Sequence, residues 1–572
     1  MGRPRNRKQQ RRPVGRRDFL RRSGAAMLAA AAVPLLQACG GGGGDSGSDG
    51  AGTPQTGTAG FLHGVASGDP LANAVILWTR VTPPGNGGGN APVSVDFFVA
   101  TDPGMNALVK TGRVSTDASR DYTVKVDADG LQPNTTYYYR FSTAGTMSPT
   151  GRTKTLPVGD TGRLRLAVAS CSSLAHGYFN AYRRIAERAD LDLVVHLGDY
   201  IYEYGSGQYG DVRSYEPANE ILTLSDYRTR HAQYKRDVDL QEVHRQHPMV
   251  AIWDDHEFAN DAWSGGAGNH TEGAEGSWSA RVSAALQAYY EWMPVRITDP
   301  ANLRKNNRNF VLGNLVDLIM LEERVNARSQ QINLNTLSFG NFTQTGDYTD
   351  PTRQMLGTEE ENWLADRLRG STAKWKLVGQ GVMFAQLKSV GGVVADGGGT
   401  FFNPDQWDGY QPARDRVYDI IKGGAAAPAI NNVVILTGDI HSSFAADLSQ
   451  DPNNSDVAAG GYDADTGAGS RAVELVATSV TSPGAIDPQG IAAAALQLAN
   501  PHIKYVDLTQ RGYMLLDVDA TRLVAEWWYV DTVANRSGAQ EMGRAMQVTE
   551  SANRLSAGAQ TVARPNPPAL AP

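Results

Sequence analysis

The chain has 572 residues, 41% hydrophobic and 20% charged, an ordinary globular composition with enough length for a large core and more than one domain. Its formal net charge is −7, and it becomes −16 once the first 38 residues, with ten Lys/Arg and one acid, are set aside. That balance argues against a general polyanion binder, and no uncharged apolar run reaches the ~18 residues that a membrane span needs.

The N-terminus reads as an address rather than as fold. A basic run from Arg3 to Arg12 leads into "GRRDFLRRSG" and then an uncharged run, Ala25–Ala38, too short to span a bilayer. Arg16-Arg17 followed by Asp-Phe-Leu resembles a twin-arginine (Tat) export signal, against the alternative of a basic arm for nucleic acid. Leu36, Ala38 and Cys39 resemble a bacterial lipobox, although Gln37 is unusual within it; the alternative is plain cleavage before a linker. Residues 1–38 are therefore expected to be a signal and 39–60 a Gly/Ser-rich tether, with Cys39 the lipidation site. The chain has two cysteines, so with Cys39 at the cleavage point Cys171 has no intramolecular partner.

Residues 61–156 read as β. The runs Asn73–Val81, Val93–Thr101 and Tyr122–Gly130 are rich in β-branched and aromatic residues and are separated by turn clusters. The segment Gly130–Phe141, "GLQPNTTYYYRF", resembles the tyrosine corner of fibronectin- or Ig-like sandwiches, so a small antiparallel β-sandwich is expected there. After a linker at 155–162, residues 163–535 alternate strand-like and helical runs, which predicts an α/β domain. Asn309–Arg324 reads as a hairpin and Thr358–Gly370 as a helix with a Thr358/Glu361 capping box. Residues 536–572 are expected to hold a helix, Ala539–Ala557, that is a candidate lid, followed by a disordered tail.

Four strand-like runs end on residues that bind metals: Cys171; Asp199 and Tyr202 in "GDYIYE"; Asp254, Asp255, His256, Glu257 and then Asn260 in "WDDHE" and after; Asp439 and His441 in "GDIH". Each has a plain reading alone: a buried thiol, a turn, a core tyrosine, a helix cap. Ligand sites in α/β folds lie beyond the carboxyl ends of strands, and four such endings together predict a metal site. Thiolate, phenolate and imidazole favour a transition metal, while a carboxylate- and amide-rich set favours Ca²⁺, Mg²⁺ or Mn²⁺; Asp199 is placed to serve both. Such a pair of cations clamps a phosphoryl group and activates a water.

Together, "GDYIYE", "WDDHE", "RQMLGTEEENWL" (Arg353–Leu364) and "TGDIHSS" resemble the PhoD-type alkaline phosphatases, Tat-exported members of the metallophosphoesterase superfamily related to phospholipase D-like phosphodiesterases. The resemblance runs from about residue 60 to 530. It implies an α/β/β/α sandwich holding Fe³⁺ and Ca²⁺, with Cys171, Asp199, Tyr202 and His441 on iron and Asp255, Asn260 and Asp439 on calcium; the split among Asp254, Asp255 and Asn260 is left open. It also implies that His256 stabilises the transition state or protonates the leaving oxygen, and that Arg353 binds phosphate oxygens. Arg324 is a further substrate-binding candidate, against a hairpin-bracing salt bridge. Where the family carries Leu-Asp-Thr-Arg this chain has Leu321-Glu322-Glu323-Arg324, and the longer Glu322 side chain is expected to bear on substrate or a neighbouring loop. The expected activity is release of phosphate from mono- and diesters by a metal-activated hydroxide, in an exported, monomeric protein whose partners are phosphoester substrates and, in transit, the Tat translocase. Alternatives are a phospholipase D-like enzyme acting on lipid headgroups and a non-catalytic surface-binding protein.

Overall fold

Strict alternation along the central strands decides how the protein is layered. In Arg163–Ala169, Leu193–Leu197 and Pro248–Ile252, the residues Leu166, Val168, Leu193, Val195, Leu197, Val250 and Ile252 point to one core. Ala167, Ala169, Val194, Met249 and Ala251 point to another. The second sheet behaves alike: Leu318, Leu377, Val434 and Leu436 face the first sheet, while Ile319, Val378, Val433 and Ile435 face away. Two sheets buried on both faces need helices outside each of them. Asn180–Ala186, Leu224–Lys235, Val238–Gln246 and Trp278–Trp292 cover the first sheet, and Gly357–Gly370, Gln411–Lys422 and Ile491–Ala499 cover the second. The result is the expected α/β/β/α sandwich.

This computed structural model describes residues 60–82, 92–332, 346–392, 398–425 and 427–572. The export signal with its twin arginines, Cys39 and the tether up to residue 59 lie outside the described residues. Among the described residues no helix is long and apolar enough to cross a membrane.

The first sheet has ten strands and the second seven. In the first, Arg163–Ala169, Leu193–Leu197 and Pro248–Ile252 are parallel neighbours, so their carboxyl ends emerge together. In the second, Val316–Met320, Trp375–Gln380, Val433–Thr437 and Ala472–Val476 are parallel. The hairpin read at Asn309–Arg324 is present as Arg308–Leu312 paired with Val316–Met320.

The N-terminal β-sandwich is present, and its tyrosine corner closes where Tyr137 Oη accepts the Gln132 N–H at 2.8 Å. It is not a separate unit, however. One of its two layers, Val65–Gly68, Ala74–Arg80 and Thr123–Asp129, is the end of the ten-stranded sheet, joined where Ser67 and Gly68 pair in parallel with Pro248 and Met249.

Three further expectations are corrected. The segment expected to be a C-terminal helix forms the strands Gln540–Thr549 and Leu555–Ala557. Its helix-forming residues are overridden by the open edge of Arg522–Val530, which pairs Leu523 with Val548 and Ala525 with Met546. The tail beyond it is held in place: Arg564 Nη1 donates to Asp192 Oδ1 (2.8 Å) and the Ala571 N–H to Gln246 Oε1 (2.8 Å). The capping box does not form either. The helix starts at Gly357, so its cap position falls on Leu356, which has no acceptor side chain, Thr358 lies within the first turn, and Glu361 pairs with Arg416 at 2.7 Å.

Candidate metal centre

The four ligand-bearing strand ends meet where the two sheets come together. Two Gly-Asp pairs make the approach possible. A Cβ on Gly198, which has φ +97°, would lie 2.4 Å from the Asp254 Cβ, and one on Gly438 would lie 2.8 Å from the Ser170 Cβ. Immediately beyond, the chain turns through the left-handed region at Cys171 (φ 59°), Asp199 (55°), Asp439 (58°) and His441 (56°). Non-glycine residues seldom adopt that conformation, and four of them at one spot are the backbone strain typical of functional sites.

Cys171, Asp199 and His441 each offer a ligand atom within 4.8 Å of the others. Tyr202 joins them, its Oη donating to Asp199 Oδ2 at 2.9 Å and lying 3.3 Å from His441 Nε2. The Pro483 carbonyl, 3.0 Å from His441 Nδ1, can only accept, so Nδ1 carries the proton and Nε2 presents its lone pair to the cluster. Ser482 braces the group, with Oγ 2.9 Å from the Cys171 carbonyl and 2.6 Å from Tyr202 Oη.

A second set adjoins the first: Asp199 groups with Asp255 and His256, and Asp254 groups with Asp255 and Asp439. These ligands and Asn260 are each at most 3% exposed. Among the described residues Asp254 Oδ2 and Asn260 Oδ1 are buried without a hydrogen-bond partner, which is costly unless a cation takes them. The structure thus brings Cys171, Asp199, Tyr202, His441, Asp254, Asp255 and Asp439 into one buried cluster whose donors are of the soft and hard kinds that cations take.

Without cations the cluster's charge is unfavourable. Burial, reinforced by Asp199, pushes the Cys171 thiol and the Tyr202 phenol well above their ordinary values. Burial and the Asp255 charge likewise push Asp254 up, against the pull of Arg324. Burial disfavours a charged His256, but Asp255, Glu203 and Asp199 outweigh it and hold the imidazolium well above its usual range. His256 Nδ1 donates to Glu203 Oε2 (2.7 Å) and its Nε2 faces Asp255 Oδ1 at 4.0 Å. His441 therefore presents a lone pair to the cluster, while His256 is held by Glu203 beside Asp255.

Arg324 lies inside the hard set. It bonds Asp254 through Nε and both Asp405 oxygens through Nη1 (2.9 and 3.1 Å), while Nη2 reaches toward Asp439 (3.6 Å) and Asp255 (3.9 Å). Glu322 is engaged within the fold. Its carboxylate accepts the Trp253 indole N–H (2.8 Å) and the backbone N–H groups of Arg324 (3.0 Å), Val325 (2.9 Å) and Asn326 (2.9 Å), fixing the turn that carries Arg324. Arg353 is not brought into the cluster: it donates to the Gly409 and Gln330 carbonyls (3.2 and 3.1 Å) and stacks 4.7 Å over the Tyr410 ring.

Sequence reasoning missed several residues. Glu257, singled out only as part of its motif, accepts the backbone N–H groups of Asp199 (3.1 Å), Tyr200 (2.5 Å) and Asp254 (2.8 Å), locking two strand ends together. Glu203 orients His256 and also accepts the Asn260 N–H at 2.8 Å. Both lie inside the quoted motifs, but an acid's role as an anchor carries no spacing rule. Asp405 and Ser482 come from loops with no local signal.

A sequence profile described as "PhoD-like phosphatase" matches residues 166–527, and one described as "PhoD-like phosphatase, N-terminal domain" matches residues 47–157. Alkaline phosphatase D of Bacillus subtilis (strain 168) is 38% identical over 478 residues, 82% of this chain and 77% of that protein. A solved structure described as "Structure of PhoD" superposes with a TM-score of 0.77 at 36% identity, covering 88% of this chain and 93% of that one. The profile over most of the α/β half and the identity over most of the chain establish that this protein belongs to the PhoD-like phosphatase family.

Proposed function

We propose that this phosphoester hydrolase is an alkaline phosphatase that frees phosphate from mono- and diesters, with Fe³⁺ held by Cys171, Asp199, Tyr202 and His441 and Ca²⁺ by Asp199, Asp255, Asn260 and Asp439. The observation that carries the reading is the convergence of a thiol, a phenol and an imidazole on one carboxylate, Asp199, that also groups with Asp255 and His256 next to the all-carboxylate set Asp254, Asp255 and Asp439. When bound, the cations supply Lewis acidity and positive charge for a phosphoryl group. The chain's own residues do the rest. Glu203 holds His256 so that Nε2–H is directed into the cluster, where it can protonate a leaving oxygen. Arg324 Nη2 keeps a fixed positive charge between Asp255 and Asp439. Burial of every ligand excludes bulk water and strengthens each of these interactions.

Export by the Tat route, anchoring through a lipid on Cys39 and a monomeric state belong to the same proposal and rest on the sequence alone. Folding before export suits a buried site that must be loaded first.

The test is elemental analysis of the purified protein, its visible spectrum, and assays on a phosphomonoester, a diester and a phospholipid, for wild type and Cys171→Ala. Iron and calcium, a charge-transfer band that Cys171→Ala shifts or abolishes, and turnover of monoester and diester are expected. Full activity and full iron in Cys171→Ala would refute the thiolate ligand, and preference for the phospholipid would favour a headgroup-cleaving enzyme.

A further inference from the structure

The direction in which His256 faces the cluster depends on how its ring is held. The imidazole packs against the rings of Tyr202 (4.2 Å between centroids) and Tyr204 (5.5 Å), and its Nδ1 donates to Glu203 Oε2 at 2.7 Å. Nε2 is therefore aimed by the carboxylate of Glu203, which is wholly buried. That carboxylate is fixed in turn through its other oxygen. Oε1 accepts the Asn260 N–H at 2.8 Å and the side-chain amide of Asn269, through Nδ2, at 3.0 Å. A carboxylate with one oxygen engaged by two donors cannot swing without losing both, so Oε2 stays turned to the imidazole.

Asn269 comes from elsewhere in the chain, the long connection 261–277 before the helix Trp278–Trp292. A carboxylate that receives an imidazole N–H and a backbone N–H is an acceptor, which puts the amide nitrogen of Asn269 against it rather than the amide oxygen. The same Nδ2 donates to Glu220 Oε1 at 3.3 Å, so each of its two hydrogens has its own carboxylate. Buried Arg281 clamps this pair: Nη2 donates to Glu220 Oε1 (2.7 Å), Nη1 to the Asn269 carbonyl (3.1 Å) and Nε to Tyr227 Oη (3.1 Å). The Asn269 N–H donates to the Asn260 carbonyl (3.1 Å), and the Ile221 N–H to the Glu203 carbonyl (3.0 Å). One amide thus ties two connections, 203–222 and 261–277, to the residue that aims His256.

We propose that Asn269 is a positioning residue for protonation of the leaving group: by holding Glu203 Oε1 it keeps Oε2 on His256, and so keeps the His256 Nε2–H aimed at the leaving oxygen. The proposal rests on the acid role given to His256 above. As the P–O bond to the leaving group breaks, its electron pair stays on that oxygen and takes the Nε2 proton; water supplies the new P–O bond and the proton that restores His256. A leaving group that is stable as an anion needs no such proton, which separates positioning from mere bracing of the loops. The test measures kcat and KM on glycerol 1-phosphate, whose alkoxide needs the proton, and on 4-nitrophenyl phosphate, whose phenolate does not. It uses wild type, His256→Gln, Asn269→Leu and Asn269→Gln, with the melting temperature and metal content of each. Asn269→Leu should lower kcat on glycerol 1-phosphate by about ten- to a hundredfold and on 4-nitrophenyl phosphate by less than about threefold, with KM for both little changed. His256→Gln should show the same split more strongly. Asn269→Gln keeps the amide and should recover part of the loss; its smaller split carries the test if Asn269→Leu does not fold. An equal loss on both esters, or none on either, in the Asn269 variants while His256→Gln keeps the split overturns the positioning role alone. Loss of metal in those variants overturns it too, by tracing the effect to Asn260. No split in His256→Gln overturns the acid role and this proposal with it, and no hydrolysis of either ester by wild type overturns the hydrolase reading.

Discussion

The two halves of the metal centre are held in different ways. The soft half, Cys171, Tyr202 and His441, is braced by neutral groups: the Ser482 hydroxyl and the Pro483 carbonyl. The hard half contains its own cation, since Arg324 is wholly buried among Asp254, Asp255, Asp405 and Asp439. The resident guanidinium offsets part of the carboxylate repulsion in the hard half, whereas the soft half has no such cation among the described residues. The difference predicts asymmetric loading, with a hard side preorganised by Arg324 and a soft side that depends on its ion.

Asp199 belongs to both halves, so the largest effect is expected there. Asp199→Asn should lower kcat by about a thousandfold or more and reduce the content of both metals; loss of iron alone would break the idea of a shared ligand. Arg324→Gln leaves buried Asp254 without its counter-ion, while Asp405 keeps Arg328 at 2.8 Å, a loss of about 3–5 kcal/mol. Thermal melts should show a larger drop in metal-free than in metal-loaded protein, and equal drops would refute preorganisation of the hard half by Arg324. Glu322→Asp withdraws an acceptor from four donors and should cost about 1–3 kcal/mol in a denaturant titration. The ratio of monoester to diester turnover should stay constant, and a changed ratio would return Glu322 to the substrate.

The smallest effect serves as a control outside both halves. Buried His502 donates through Nε2 to the Gln386 carbonyl at 3.0 Å, and burial drives its pKa down to about 3. Below the usual histidine pKa of about 6.5 the unfolded chain binds a proton that the folded chain refuses until about pH 3. Stability therefore falls as pH falls through that window, by about 1.4 kcal/mol per unit for this residue. Replacing it in His502→Gln should flatten that slope between pH 6 and about 4, read from denaturant midpoints, and an unchanged slope would refute the burial argument.

The clustering of the strand-end residues was legible because strand periodicity marks where each apolar run stops, and Cys171, Asp199, Asp255 and Asp439 stand at those stops. What holds them was not legible. Glu257, Glu203 and Glu322 act by accepting backbone N–H groups from elements far apart in sequence, and an acid in a motif looks the same whether it binds metal or amides. Arg353 misled for the same reason: an arginine suits phosphate, but here two carbonyls and the Tyr410 ring occupy it. The C-terminal strands were misread as a helix because their residues favour helix locally and only an available sheet edge decides otherwise.

The parallel pairing of Ser67 and Gly68 with Pro248 and Met249 bears on how this protein can be cut. A catalytic half expressed from residue 163 would strip the neighbour from the start of Pro248–Ile252 and leave the backbone groups that faced Ser67 and Gly68 unpaired on an apolar strand. Such an edge recruits strands from other molecules and aggregates. Truncations and fusions therefore belong before residue 60, and the 157–162 connection, although it looks like a linker, is an internal part of one cooperative sheet.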